Sequence, residues 1–349
     1  MSLTKAYAAL NATSPLVPFS FERRKPRPRD VQIEILYSGV CHSDLHQARD
    51  EWGESIYPMV PGHEIVGRVT SIGNKVKKFK PGDLAAVGVM VDSCRACRHC
   101  KNDLEQYCEE GFTGTYNTLE RDGKTIAQGG YSTQIVTDEY YVHHISPKLD
   151  LKAVAPLLCA GITTYSPLRH LKVRKGTRLG VIGLGGLGHM GVKFGVSFGA
   201  EVSVISHSKS KEKDAKKLGA HRFVLSTDKN DMKKNESYFD VLLNTVSANH
   251  DYEKYLGLLD LDGTMAIVGL PPQDPKIKCF ALLKNRRSVL GSMIGGMKET
   301  QDMLDYCARK NIVADVELIP MQKINEAYDR MLRGDVHYRF VIDLASLKT

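Results

Sequence analysis

The chain of 349 residues carries 42% hydrophobic and 25% charged side chains, a balance that suits packed globular domains and excludes a disordered or fibrous protein. At this length two separate cores fit. The net charge of +8 is interleaved with acids almost everywhere, which argues against a dedicated nucleic-acid surface.

The first twenty residues lack the basic stretch and unbroken apolar core of a secretory signal. No apolar run approaches the ~18 residues of a spanning helix. A cytoplasmic location is expected, so the eight cysteines point to metal or thiol chemistry rather than disulfides. The main basic run without acids, Arg23-Arg24-Lys25-Pro26-Arg27-Pro28-Arg29, reads as an extended loop whose charge can reach phosphate.

Val31 to Ser38 alternates with period two, as a half-buried strand does. At its end stands Cys41-His42-Ser43-Asp44-Leu45-His46, with a thiol, a hydroxyl, a carboxylate and two imidazoles in one short stretch. Ile65 to Ile72 is a second strand, Pro81-Gly82-Asp83 a turn, and Leu84 to Val91 a third strand. Short strands punctuated by Gly and Pro predict a β-barrel-like N-terminal domain. Pro61-Gly62-His63-Glu64 places another imidazole and carboxylate at the start of the second strand. Trp52, Tyr57 and Met90 lie near these motifs, as pocket lining or as core.

Cys94-x2-Cys97-x2-Cys100-x7-Cys108 is the strongest local signal. Four thiolates so spaced can close around one tetrahedral metal, with structural zinc expected and an iron-sulfur cluster as the rival. Arg95, Arg98 and Lys101 would offset the negative charge, although ordinary surface placement explains them as well. A site closed by four thiolates stabilises and does no chemistry. After Gly129-Gly130-Tyr131 and a strand from Ser132 to Val136, Cys159 falls in an apolar helix-like run, Ala153 to Tyr165, near a change to α/β composition.

Arg178 to Ile182 is a strand, followed by Gly183-Leu184-Gly185-Gly186-Leu187-Gly188, a helical stretch to Phe198 and a strand from Val202 to Ile205. In that context the glycine spacing is a dinucleotide signature: the first permits the turn, the second the approach of a pyrophosphate, the third close helix packing. Runs at Arg222 to Leu225, Asp240 to Asn244, Thr264 to Leu270 and Ser288 to Leu290 complete a doubly wound parallel sheet. After the second strand stands Ser206-His207-Ser208-Lys209-Ser210-Lys211, with no carboxylate until Glu212. Hydroxyls and ammonium groups there favour NADP over NAD, because a carboxylate would repel the 2′-phosphate. Gly295-Gly296 reads as a hinge. A helix (Thr300 to Lys310), strand (Ala314 to Ile319), helix (Ile324 to Leu332) and strand (Tyr338 to Ile342) then return to the first domain. Cys279 and Cys307 read as ordinary thiols.

These motifs, with Leu158-Cys-Ala-Gly-Ile-Thr163 and Gly291-Ser-Met-Ile-Gly295, give the whole chain a resemblance to the zinc-dependent medium-chain alcohol dehydrogenases of the cinnamyl alcohol dehydrogenase branch. It is especially similar to bacterial NADPH-dependent broad-specificity aldehyde reductases. The resemblance implies a GroES-like β-barrel catalytic domain (1–151 and 298–349) and a Rossmann NADP-binding domain (152–297). It implies that Cys41, His63 and Cys159 bind a catalytic zinc, with water or Glu64 in the fourth position. Cys94, Cys97, Cys100 and Cys108 would bind a structural zinc. Ser43 would stand beside the reacting oxygen, with His46 as the outer end of a proton relay. Thr163, Thr245, Gly269, Ser292, Met293 and Ile294 match cofactor-contacting positions beside Gly183 to Gly188. Ser206, His207, Ser208 and Lys211 match the phosphate segment, where His207 departs from the usual Ser or Thr. His42 either approaches the pyrophosphate or faces solvent. The implied activity is hydride transfer between NADP(H) and aldehydes or primary alcohols, by a homodimer acting on small molecules. A non-catalytic zinc- and nucleotide-binding sensor or scaffold is the alternative.

Overall fold

The computed structural model describes residues 2–347. The chain forms two compact units, Met1–Cys159 with Gly295–Thr349, and Ala160–Ile294. Among the described residues no helix is long and apolar enough to cross a membrane.

The first unit opens with an antiparallel hairpin, β1 (Ser2–Ala8) and β2 (Val17–Arg23), which no strong sequence alternation announces. Then come β3 (Asp30–Gly39), α1 (His42–Ala48) and β4 (Ile65–Ile72). The expected strand Leu84 to Val91 is two strands, β5 (Leu84–Val87) and β6 (Met90–Asp92). Gly88 interrupts it: its carbonyl accepts from the Thr115 hydroxyl instead of a ladder neighbour, and β6 pairs separately with β7 (Thr113–Gly114). β8 (Gln134–Asp138), β9 (His143–His144) and α2 (Leu151–Val154) follow. Val31, Ile33 and Ile35 of β3 are fully buried with Ile65 of β4 and Ile135 of β8. The period-two pattern thus points its apolar set inward.

The second unit is a six-stranded parallel sheet. After α3 (Ala160–His170) the chain runs through β10 (Arg178–Ile182), α4 (Gly188–Ser197), β11 (Glu201–Ser206), α5 (Glu212–Lys217), β12 (Arg222–Leu225) and α6 (Lys229–Lys234). It continues with β13 (Phe239–Asn244), α7 (Tyr252–Leu256), β14 (Leu259–Ile267), α8 (Cys279–Leu283) and β15 (Ser288–Gly291). The strand order β12-β11-β10-β13-β14-β15 reverses direction between β10 and β13. The crevice outside the strand ends at such a reversal is where doubly wound sheets take ligands.

The chain rejoins the first unit with α9 (Met297–Lys310), β16 (Val316–Pro320), α10 (Ile324–Leu332) and β17 (Arg339–Asp343). β17 pairs with β3, and β16 with β17. At Gly296 a Cβ would strike the Asp103 carbonyl, and the buried Glu105 carboxylate accepts from Met297 N at 2.9 Å. Its glycine permits that close approach.

Candidate metal centre and dinucleotide loop

Antiparallel pairing of β3 and β4 sets Ser38 opposite Ile65, and Gly39 N–H donates to the Glu64 carbonyl at 2.9 Å. The residues that leave β3 therefore meet those that enter β4. Cys41 stands at the N-terminus of α1, where the Asp44 carboxylate reaches back to its N–H at 2.9 Å, as a capping-box acid does. Cys159 ends the short turn Ala155–Leu158, which packs on β3, β4, β5 and β17. These routes bring Cys41, His63, Glu64 and Cys159 into one group whose ligand atoms all lie within 4.8 Å of one another. The two thiol sulfurs are 3.9 Å apart. Two thiolates on one tetrahedral zinc at a bond length of ~2.3 Å stand ~3.8 Å apart, so the donor set fits that ion.

Asp44 is fully buried and its carboxylate accepts from four donors: Cys41 N (2.9 Å), Gly62 N (3.1 Å), His63 Nδ1 (3.0 Å) and the Tyr131 hydroxyl (3.1 Å). The bond from Nδ1 leaves His63 Nε2 to face the group, 4.0 Å from Glu64 Oε1. The Tyr116 ring stacks on His63 with centroids 5.9 Å apart. Asp44 therefore fixes both ligand loops and the histidine tautomer, the usual work of a carboxylate behind a metal ligand.

Arg339, the first residue of β17, is the partner that the sequence did not reveal. Its buried guanidinium donates to Glu64 Oε1 and to the Val40 carbonyl. Glu64 Oε2 has no hydrogen-bond partner among the described residues. Burial pushes the Glu64 carboxyl up to about 7, against the opposing pull of Arg339. A Cβ on Gly39 would collide with Glu64 Oε2, which explains the glycine. The Cys159 hydrogen bond, joined by His63 and Arg339, holds the Cys41 thiol well below its usual range. The same pairing pushes Cys159 above it.

Ser43 Oγ lies 3.6 Å from Cys41 Sγ. His46, one turn along α1, hydrogen-bonds through Nδ1 to Glu51 Oε2 at 2.5 Å and lies 5.2 Å from the Trp52 ring. Glu51 is a second residue that sequence reasoning missed. His42 is exposed, its ring 6.1 Å from His46. Tyr57 donates its hydroxyl to the Ala48 carbonyl, and Met90 is core.

Cys94, Cys97, Cys100 and Cys108 form the other four-ligand group. Cys94 and Cys100 sulfurs are 3.8 Å apart, and Cys97 N, Ala96 N and Cys108-directed Cys94 N donate to sulfur at 3.2–3.4 Å. Backbone N–H bonds from Cys100 and Glu109 lower the Cys97 thiol to about 6. Neither Arg95 nor Arg98 hydrogen-bonds to a cysteine sulfur among the described residues. Arg95 pairs with Asp92 and Asp138, Arg98 with Glu109, and Arg121 instead approaches Cys108 at 4.0 Å. Of the leftover thiols, Cys279 is exposed, and burial pushes Cys307 up to about 12.

In the second unit Gly183 has φ +88°, Gly185 has open space where a Cβ would be, and a Cβ on Gly188 would strike the Gly183 carbonyl. Turn, phosphate approach and close packing are thus divided among the three glycines. Leu184, Gly186 and Leu187 complete the loop into α4, whose N-terminal N–H groups suit a pyrophosphate. Thr245 Oγ1 donates to the Ile182 carbonyl at 2.7 Å. Gly183, Ser206, Thr245, Gly269 and Ser292 all stand at or just past the carboxyl ends of β10, β11, β13, β14 and β15. Met293 is exposed, and Ile294, β-branched, is held at φ 41°, a strained conformation for such a side chain. Thr163 is buried in α3. In the phosphate segment Ser206 Oγ accepts from Ser208 N at 3.2 Å, His207 is exposed, and Lys209 is taken by Glu212 at 2.7 Å. Lys211 closes the same turn. In the basic run of the first unit Arg23 is buried, Arg24 pairs with Asp30 and Glu120, and Arg27 and Arg29 remain exposed beside Glu120 and Glu139.

Two family models match the chain, the alcohol dehydrogenase GroES-like domain over residues 27–147 and zinc-binding dehydrogenase over residues 186–309. The chain is 53% identical to aldehyde reductase YahK of Escherichia coli, over 98% of this chain and 99% of that one. It is 50% identical to NADP-dependent alcohol dehydrogenase C of Mycobacterium bovis, over 99% of this chain and all of that one. A cinnamyl alcohol dehydrogenase of Sorghum bicolor superposes with a TM-score of 0.96 at 41% identity, covering 99% of this chain and 98% of that one.

Proposed function

The chain belongs to the zinc-dependent medium-chain alcohol dehydrogenase family, on its cinnamyl alcohol dehydrogenase branch, and we propose that it is an NADP(H)-dependent, broad-specificity aldehyde reductase. The observation that carries this reading is the group Cys41, His63, Glu64 and Cys159, a set of two thiols, one imidazole and one buried carboxyl within 4.8 Å. Cys41, His63 and Cys159 would hold a zinc ion with a fourth position open to water, substrate or Glu64. The ion supplies polarisation of a carbonyl or alcohol oxygen, and NADP(H) supplies or accepts the hydride.

The residues of the chain do the rest. Asp44 orients His63, and Arg339 holds Glu64 Oε1, the oxygen 4.0 Å from His63 Nε2, while Oε2 has no hydrogen-bond partner among the described residues. The Ser43 hydroxyl, next to Cys41, gives a proton to the nascent alkoxide oxygen in reduction and takes it back in oxidation. His46, whose Nδ1 hydrogen-bonds to Glu51, would be the outer end of a relay through the nicotinamide ribose that exchanges this proton with solvent. Gly183 to Gly188 would seat the pyrophosphate. Ser206, His207, Ser208 and Lys211 would bind the 2′-phosphate, supported by the absence of a carboxylate at the end of β11.

A homodimer is proposed through the edge of the second unit. β15 has one neighbour in the sheet, and Leu261, Leu270, Phe280 and Leu283 are 63–74% exposed. An open strand edge beside apolar side chains favours pairing with a second copy. The cytoplasm is the proposed compartment, because four cysteines in one ligand group and two in the other require reduced thiols.

The test is NADPH oxidation across aromatic and aliphatic aldehydes, with metal measured on the same sample. Two zinc ions per chain and turnover of several aldehydes are expected. Two zinc ions, bound NADPH and no aldehyde reduced would favour the non-catalytic sensor instead.

A further inference from the structure

Arg23, the last residue of β2, has a guanidinium that is almost fully enclosed, at 9% exposure. A buried cation ordinarily meets a carboxylate. This one meets neutral acceptors. Nε donates to the Gln134 carbonyl at 2.9 Å, Nη1 to the Gln128 carbonyl at 2.8 Å, and Nη2 to the Gly129 carbonyl and Ser132 Oγ, both at 3.1 Å. Its Cζ lies 4.8 Å from the centroid of the Phe21 ring. The planar fork thus gathers one stretch of chain, residues 128–134, which is irregular until β8 begins. A lysine offers no such set of fixed directions.

On its other side the same stretch is zipped to the loop that carries His63. Gln128 Oε1 accepts from Val60 N at 2.7 Å, and Gln128 Nε2 donates to the Pro58 carbonyl at 2.9 Å. Gly129 N donates to the Val60 carbonyl at 2.7 Å, Gly130 N to the Gly62 carbonyl at 2.8 Å, and Tyr131 N to the Pro61 carbonyl at 2.9 Å. The strips touch so closely that a Cβ on Gly129 would strike the Pro61 carbonyl, and one on Gly62 would meet the Tyr131 ring at 2.7 Å. The Tyr131 hydroxyl then reaches Asp44, which holds His63.

We propose that Arg23 is a positioning residue for the metal centre, fixing residues 128–131 and through them the loop 58–63 and the place of His63. Its hydrogen bonds go to residues 128–134 and to none of the ligand side chains. The inference rests on the reading of Cys41, His63 and Cys159 as metal ligands. Arg287 in the second unit supplies the control, since its buried guanidinium likewise donates to carbonyls, those of Leu259, Ala281 and Gly257, without serving a ligand loop.

The experiment follows zinc release from the intact chain to excess chelator. The phase missing from Cys41→Ala belongs to the centre, and the phase missing from Cys97→Ser belongs to the four-cysteine lobe. In Arg23→Lys the centre's phase should quicken about tenfold, the low end for residues that support metal ligands, while the lobe's phase keeps its rate. Arg287→Lys should lower thermal stability and leave the centre's phase unchanged. If Arg23→Lys does not fold, Gln128→Ala loosens the same brace from the other side and should quicken the same phase. An unchanged centre phase in the folded variant overturns the proposal. So does an equal quickening in Arg287→Lys, which would reveal general destabilisation. Wild-type chain that releases metal in the lobe's phase alone overturns the metal-centre reading and this inference with it.

Discussion

Asp44→Asn is the sharpest single perturbation of the ligand scaffold. Gly62 N and His63 Nδ1 donate to one carboxylate oxygen, Cys41 N and the Tyr131 hydroxyl to the other. An amide retains one oxygen. Turned toward Gly62 and His63, it presents an NH2 to the other pair. The Tyr131 hydroxyl can rotate and accept from it; the Cys41 N–H cannot, and is left buried without an acceptor at a cost of about 1–3 kcal/mol. Replacing bonds to a charged acceptor by neutral ones removes roughly another 1–2 kcal/mol. The variant should therefore lose about 2–5 kcal/mol in the first unit and hold its zinc 10–100-fold less tightly, on the order expected for a lost ligand-orienting carboxylate. Tyr131→Phe, which removes one of the four bonds, should lose about 1.5 kcal/mol. Denaturant unfolding and zinc release to a chelator, measured side by side, check both figures. An Asp44→Asn chain whose zinc release stays within about twofold of wild type would refute the assignment of Asp44 as the anchor of His63.

Other outcomes follow from single residues. Gly185→Ala adds a methyl where the free chain has open space, so its melting temperature should hold while NADPH affinity falls on the order of tenfold, as isothermal titration would show. Cys97→Ser should release the lobe's metal and lower the melting temperature, with the centre's zinc retained. His143 is buried, and burial, then Lys78 and His144, lower its imidazole to about 3. Below its unfolded value of 6.5 the unfolded chain takes a proton that the folded chain refuses, so stability falls as pH falls. The slope approaches ~1.4 kcal/mol per pH unit. His143→Gln should flatten the stability profile between about pH 6 and pH 5 by roughly that amount in parallel denaturation series.

The parts of the site legible in the sequence are those whose chemistry is written in local spacing. Cys94 to Cys108 lie in one short loop, and Gly183 to Gly188 sit between a strand and a helix, so composition and period expose them. Cys159 needed the family resemblance, since nothing near it distinguishes a ligand from a buried thiol. Arg339 was hidden because it lies 275 positions from the carboxylate it holds, and an arginine at the start of a strand reads as an ordinary surface residue. Glu51 was hidden for a different reason: its bond to His46 depends on the turn that ends α1, and five-residue spacing carries no pattern. Gly296 has a packing reason that its sequence does not show. Two consecutive glycines read as a hinge, and the structure adds that the Asp103 backbone leaves no room for a Cβ on the second.

The central claim, that Cys41, His63 and Cys159 form the reactive metal centre of an aldehyde reductase, is tested most directly by comparing wild type with Cys41→Ala. Zinc per chain and NADPH oxidation with an aldehyde substrate are measured on the same folded samples. Two zinc ions with turnover in wild type, and one zinc ion with none in the variant, are predicted. Aldehyde reduction by Cys41→Ala at the wild-type rate would contradict the account.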